Sequence, residues 1–167
     1  MNIGLDMMGG DFAPLEAVKG VKQYLLEHDF EGLSLVLFGD EVQLSALLAE
    51  QGVPQDKYKV IPTTEIIEMN EHPTRALKEK QHSSICVGFK YLATGKIDAF
   101  ISAGNTGAML VGAMFSIKTV EGVLRPTISS VIPKQDGGTA LLMDVGLDAD
   151  CKPELLNPIA VVGSVFR

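Results

Sequence analysis

Short apolar runs alternate along the chain with segments whose hydrophobic residues recur every three or four positions. Asn2 to Asp6 is an apolar run closed by an acid, which predicts a first strand. Met7-Met8-Gly9-Gly10-Asp11-Phe12-Ala13-Pro14 reads as a turn. Pro14 suits the first position of a helix, and Leu15, Val18, Val21, Leu25 and Leu26 follow at helical spacing. His28 falls near the end of that helix, and Gly32 closes the unit. Leu33 to Phe38 predicts a buried strand stopped by Gly39-Asp40. Val42, Leu44, Leu47 and Leu48 fit a second helix that ends before Gly52-Val53-Pro54, and Tyr58 to Ile61 predicts a short third strand.

The stretch from Pro62 to Ser84 is the most polar of the chain. It predicts a loop and then a helix starting near Pro73. Ser83 or Ser84 caps a further helix carrying Val87, Phe89, Tyr91 and Leu92, with Gly95 as its stop. Ala99 to Ser102 predicts a fourth strand, which feeds a glycine-flanked turn and a helix starting at about Gly107. Thr127 to Ile132 and Thr139 to Met143 predict two more strands, joined by the turn Pro133 to Gly138, and Pro153 opens a last helix. This alternation of strands and helices predicts an α/β sandwich with a mainly parallel sheet. Ligands in such folds bind beyond the carboxyl ends of the strands. The loops Met7 to Pro14, Thr63 to Arg75, Ala103 to Gly107 and Asp144 to Lys152 all follow predicted strands, so parallel strands would gather them at one edge.

A length of 167 residues is enough for one domain with a sizeable core. Hydrophobic residues make up 46% and charged residues 21%, the balance of a globular chain rather than a disordered one. The formal net charge of −7 argues against nucleic acid as a partner but leaves room for a small anion in a local basic pocket. There is no tryptophan on which bases could stack. Cys86 and Cys151 form no CxxC pair, and no His/Cys cluster has zinc-ligand spacing. The expectation is therefore reduced thiols, a cytoplasmic setting, no metal and no cofactor. No apolar run approaches the length of a membrane span, and no basic-then-apolar leader precedes the first strand.

The motifs GxGxxG, GxxxxGK[ST] and GxSxG are absent, so dinucleotide, P-loop and α/β-hydrolase readings lack their fingerprints. What stands out is Ile101 to Ala108. A strand, a tight turn and a helix start would place unpaired backbone N–H groups and partial positive charge at one point. Gly104 and Gly107 let a ligand approach the backbone closely, and Ser102, Asn105 and Thr106 offer side-chain hydrogen bonds. Such turns also occur as ordinary Asn- or Thr-capped connections. Arg75 and Lys78 lie three apart and can share one helix side, and Lys80, Arg125 and Lys152 add further cations. Such a set is either a solvated face or a holder of phosphate. His72 and His82 read as surface residues and Cys86 as a small packed residue. Cys151 stands beside Lys152 without a paired histidine to make it a nucleophile. If phosphate itself attacks, no protein nucleophile is needed, and positioning and electrostatics carry the reaction.

Taken in order, several blocks resemble one family, the phosphate acyltransferases of bacterial phospholipid synthesis, known as PlsX. They are Asp6-Met7-Met8-Gly9-Gly10-Asp11-Phe12-Ala13-Pro14; Glu71-His72-Pro73 through Arg75, Ala76, Lys78, Lys80 and Ser83-Ser84; Ser102 to Ala108; Arg125-Pro126; Asp144-Val145-Gly146 through Asp150 to Glu154; and Gly163-Ser164. Met7 stands where the family has Ala, a packing change. Glu71 and Lys78 stand where it has Asp and Arg, and Lys keeps the charge but loses the bidentate fork. Leu147-Asp148 stands where it has Ala-Asn, which weighs against a phosphate contact at Asp148.

The resemblance implies a three-layer α/β sandwich like that of isocitrate dehydrogenase and phosphotransacetylase. Members of the family are longer, so residues 1–167 resemble the N-terminal portion of a single domain whose C-terminal portion is absent. The implied activity moves a fatty acyl group from acyl carrier protein to inorganic phosphate, giving acyl phosphate. Asn105, Lys152 and Arg75 are the implied catalytic residues. Ser102, Gly104, Thr106, Gly107, Lys78, Lys80, Ser83 and Asp144 are implied around phosphate or substrate, with Gly9, Gly10 and Asp11 shaping the neighbouring wall. A homodimer, contact with the inner face of the cytoplasmic membrane and a downstream glycerol-3-phosphate acyltransferase are the implied associations. Two other readings stay open on the residues: a phosphotransacetylase-like enzyme using coenzyme A thioesters, and a non-catalytic phosphate-binding module.

Overall fold

A computed structural model of the chain describes residues 1–27, 32–123, 126–146 and 152–166. His28, Arg125, Leu147, Asp148, Asp150 and Cys151, singled out above, lie outside the described residues. The chain divides into two compact units, Met1–Ile117 and Lys118–Arg167.

In the first unit β1 (Asn2–Asp6), β2 (Ser34–Gly39), β3 (Tyr58–Pro62) and β4 (Ala99–Ile101) form one parallel sheet in the order β3-β2-β1-β4. Helices α1 (Leu15–Glu27), α2 (Glu41–Glu50), α3 (Pro73–Glu79), α4 (Ser84–Ala93) and α5 (Thr106–Ile117) connect and flank it. Each begins within a residue or two of the start expected from hydrophobic spacing, Pro73, the serine cap or the glycine-flanked turn. The two-residue period of a strand explains how the sheet is covered on both faces. Leu35 and Leu37 of β2 pack with Val18 and Val21 of α1 and Leu44 and Leu48 of α2. Val36 and Phe38 point the other way, against Ile61, Ile97 and the α4 residues Val87 and Tyr91. Each such buried aliphatic side chain contributes about 1.5–3 kcal/mol. The result is the expected three layers. A further cluster of Ile67, Ala76, Ile85, Phe89 and Ala108 ties α3, α4 and α5 to the loop after β3.

The second unit holds β5 (Ser129–Pro133), β6 (Thr139–Met143) and α6 (Pro153–Phe166). The two strands expected here, joined by a turn, are present. β5 and β6 pair antiparallel with each other in a two-stranded sheet of their own and do not extend the parallel one. The reason is the length of the connection. Residues 134–138 suffice for a hairpin, whereas a parallel return needs a crossover of about a dozen residues or more. The loop that follows β6 is therefore not carried to the parallel-sheet edge by strand pairing, as a common parallel sheet would require.

Candidate functional site

The loops after β1, β3 and β4 leave the same edge of the parallel sheet, and buried polar groups knit them together. Asp6, the last residue of β1, is buried. Its Oδ1 accepts the Met8 and Gly9 N–H groups at 3.0 and 3.1 Å, and its Oδ2 accepts the Ser102 hydroxyl at 2.7 Å. Ser102 Oγ in turn accepts the Gly104 N–H at 3.0 Å. A Cβ on Gly9 would lie 2.4 Å from Asp6 Oδ2 and 2.7 Å from Gly104 N, so the two loops meet backbone to backbone only because residue 9 is glycine. Gly10 follows with φ +105°, and Asp11 is exposed beside it.

Asn105 binds the third loop. It is buried, and its Nδ2 donates to the carbonyls of Glu68, Met69 and Glu71 at 3.0, 3.3 and 3.0 Å. Its Oδ1 accepts the Ala108 N–H at 2.9 Å, which makes it the side-chain cap of α5. The sequence offers Ser102 and Asn105 as ligand contacts. The structure commits the Ser102 proton to Asp6 and the Asn105 amide to three carbonyls and one N–H. Both side chains shape the turn. The groups left at the start of α5 are the Thr106 and Gly107 N–H groups, which have no intrahelical partner in a first helical turn, and the exposed Thr106 side chain. Gly107 admits Pro73, the first residue of α3, since a Cβ there would sit 2.4 Å from the proline ring.

Lys80 and Glu71 clamp the loop after β3. The Lys80 ammonium donates to Glu71 Oε2 at 2.5 Å and to the Ile66 carbonyl at 2.6 Å. Glu71 also accepts the Glu68 N–H at 2.7 Å. The Lys80 hydrogen bond, then that from Glu68, hold the Glu71 carboxyl below its usual value of 4.5. A depressed carboxyl pKa contributes stability above the usual value, and this is lost as pH falls through the lowered one. Glu71→Gln is thus expected to flatten the loss of stability below about pH 4.5, read by urea unfolding across acid pH. Equal acid slopes in both proteins would remove the clamp from the account.

The other expected residues are placed as follows. Ser83 is buried as the N-cap of α4, donating to the Lys80 carbonyl and accepting the Cys86 N–H. Arg75 is largely exposed and pairs with Glu79 one turn on at 3.0 Å. Lys78 is exposed on α3. Asp144 and Lys152 belong to the second unit, Asp144 at φ 61° just after β6 and Lys152 exposed just before α6. Cys86 is half-buried in α4, and burial pushes its thiol pKa up, in keeping with a packed rather than reactive cysteine. Among the described residues no group of three or more His, Cys, Asp or Glu could hold a metal ion. None of their helices is long and apolar enough to cross a membrane. Sequence reasoning left Asp6 and Glu71 out of the site. An acid closing an apolar strand, and one facing a lysine across a polar loop, were the available signals. Next to the cluster an apolar cleft of about 570 Å³ follows α1 and the β1–β4 edge, with Leu5, Val21, Tyr24 and Ile101 on its walls and Asp6 and Ser102 at its polar end.

Fold and edge together define an α/β sandwich of the phosphotransacetylase type. Solved structures of similar fold include the EutD phosphotransacetylase from Staphylococcus aureus, with a TM-score of 0.63 at 20% identity over 96% of this chain and 51% of that one. The chain belongs to the family described as fatty acid synthesis protein, whose model matches residues 1–167. Among its relatives are the phosphate acyltransferases of Halothermothrix orenii, 42% identical over 99% of this chain and 49% of that protein, and of Dictyoglomus turgidum, 39% identical over 99% and 48%. The chain spans about half the length of the curated relatives it matches.

Proposed function

We propose that the protein to which this chain belongs transfers a fatty acyl group from acyl carrier protein to inorganic phosphate, yielding acyl phosphate for phospholipid synthesis. The observation that carries the reading is the turn before α5, whose side chains are spent on holding its shape and whose first N–H groups are not. Phosphate rests against the Thr106 and Gly107 N–H groups and the Thr106 hydroxyl, where the helix dipole favours an anion. Arg75 and Lys78 on α3 supply positive charge. A phosphate oxygen attacks the thioester carbonyl, a C–O bond forms as the C–S bond breaks, and the carrier leaves as its thiol after taking a proton. N–H groups that already point at the anion need no reorganisation as charge builds. The apolar cleft beside Ser102 suits a long hydrocarbon tail and supports an acyl rather than an acetyl donor. Names of relatives support the same reading, since they are phosphate acyltransferases. A homodimer working at the inner membrane face accompanies it.

The test uses the full-length protein with palmitoyl carrier protein and phosphate, trapping acyl phosphate as its hydroxamate. Phosphate-dependent product is expected, with palmitoyl coenzyme A a poorer donor. Thr106→Val keeps the shape and removes the hydroxyl, so the KM for phosphate is expected to rise about tenfold, the lower end of a hydrogen bond to a charged group. No product, or an unchanged KM, would count against the assignment.

A further inference from the structure

We infer that the groove between α3, α4 and α5 is a docking surface for an acidic amphipathic helix on the protein that delivers the acyl group; this rests on the carrier-borne donor proposed above. The groove encloses about 1010 Å³ within the first unit. Lys78, His82, Lys90 and Lys96 stand on its rim. Among the described residues no Asp or Glu lines it, and Glu65, which accepts the His82 N–H at 2.7 Å, stands just outside the lining; the chain as a whole carries 21 acids against 14 lysines and arginines. An acid-rich chain that lines one groove with three lysines and, among the described residues, no acid creates a local field that favours an acidic partner. The walls are apolar, with Leu77, Val87, Tyr91, Val111 and Phe115 among them. Phe115 on the groove wall is 70% exposed. The Lys96 ammonium lies 4.9 Å from the centre of the Tyr91 ring, which holds that charge at the groove.

This pairing of a cationic rim with an apolar floor fits a helix that carries acids on its flanks and apolar residues between them. A bare polyanion would use the rim and leave the floor unfilled. The groove is also close to the proposed site. Thr74 lines it, and the preceding residue, Pro73, packs on Gly107 at the start of α5. A partner seated here is therefore within one helix turn of α3 from the turn that would hold phosphate.

The test measures binding of fluorescently labelled acyl carrier protein to the chain by anisotropy at low salt, with phosphate binding followed by calorimetry in parallel. Lys90→Glu with Lys96→Glu is expected to weaken carrier binding by about tenfold or more while phosphate binding stays as in the wild type. Phe115→Ser should weaken it too, because the floor as well as the rim is used. Lys19→Glu with Lys59→Glu, exposed and off the groove, should change it by less than about twofold. Four results would overturn the inference: no carrier binding by the wild type, unchanged affinity in the groove variants, equal loss in the off-groove pair, or heparin bound as tightly with the same dependence on Phe115. Failure of phosphate to bind the wild type would instead strike the phosphate site and leave the carrier data to judge the groove.

Discussion

Asn105→Ala is expected to lower the unfolding free energy of the chain by about 2–4 kcal/mol, the sum of a lost helix cap and a lost buried hydrogen-bond hub. The amide holds the carbonyls of Glu68, Met69 and Glu71 while capping α5 through Ala108. Removing it leaves the Ala108 N–H buried without its acceptor and frees the loop after β3 from the loop after β4. Asn105→Asp separates the two contributions. The carboxylate still caps Ala108 but faces three carbonyl oxygens with no N–H to offer. At neutral pH it is expected to be at least as destabilising as Ala, and to recover on acidification, where a protonated carboxyl donates again. Urea unfolding of both variants at neutral and mildly acidic pH reads this directly. In the full-length protein either change should lower kcat as well as stability, because the turn before α5 loses its shape. An Asn105→Ala chain as stable as the wild type would show that the three carbonyls find other partners.

Gly9→Ala is the second large effect. Its Cβ would fall 2.4 Å from Asp6 Oδ2, on a buried carboxylate pinned by three hydrogen bonds, and 2.8 Å from Gly104 Cα, which is backbone. One loop must move, at a cost of about 1–3 kcal/mol, as in overpacked cores, and the Asp6–Ser102 link is the first bond to lengthen. Gly20→Ala is the matched control. Gly20 lies inside α1, and nothing stands within 4 Å of the added Cβ. There the gain in helix propensity should raise stability by up to about 1 kcal/mol. Opposite signs for the two substitutions, measured as urea midpoints, are the expected result. Equal and small effects would mean that the contact between the first and third loops is loose.

The apolar runs at Ile3 to Leu5, Leu35 to Phe38 and Val60-Ile61 were legible as strands because buried parallel strands are apolar on both faces. The helices were legible because Val18 and Val21, or Leu44 and Leu48, repeat at helical spacing and face one core. Ser83 was legible as a cap from its place before an apolar stretch. β5 and β6 were legible as two strands joined by a turn, and the shortness of residues 134–138 fits the hairpin they form.

The site divides along a different line. Local chemistry in the sequence placed Gly9, Gly104 and Asn105 at an edge where ligands bind, since turn residues between a strand and a helix are read from neighbours in the chain. It could not tell which side chains face a ligand and which face the protein. Ser102 meets Asp6 across 96 positions, and Asn105 meets Glu71 across 34. A hydroxyl or an amide looks the same in sequence whether it is free or already bonded. Only folding decides, because the partner arrives from another strand, and a group that has given its hydrogen bonds to the protein has none left to give. The sequence by itself determined the elements, their order and the edge they present. The tertiary structure bonded the Ser102 hydroxyl to Asp6 and the Asn105 amide to the loop after β3, and it gathered Lys78, Lys90 and Lys96 around one groove.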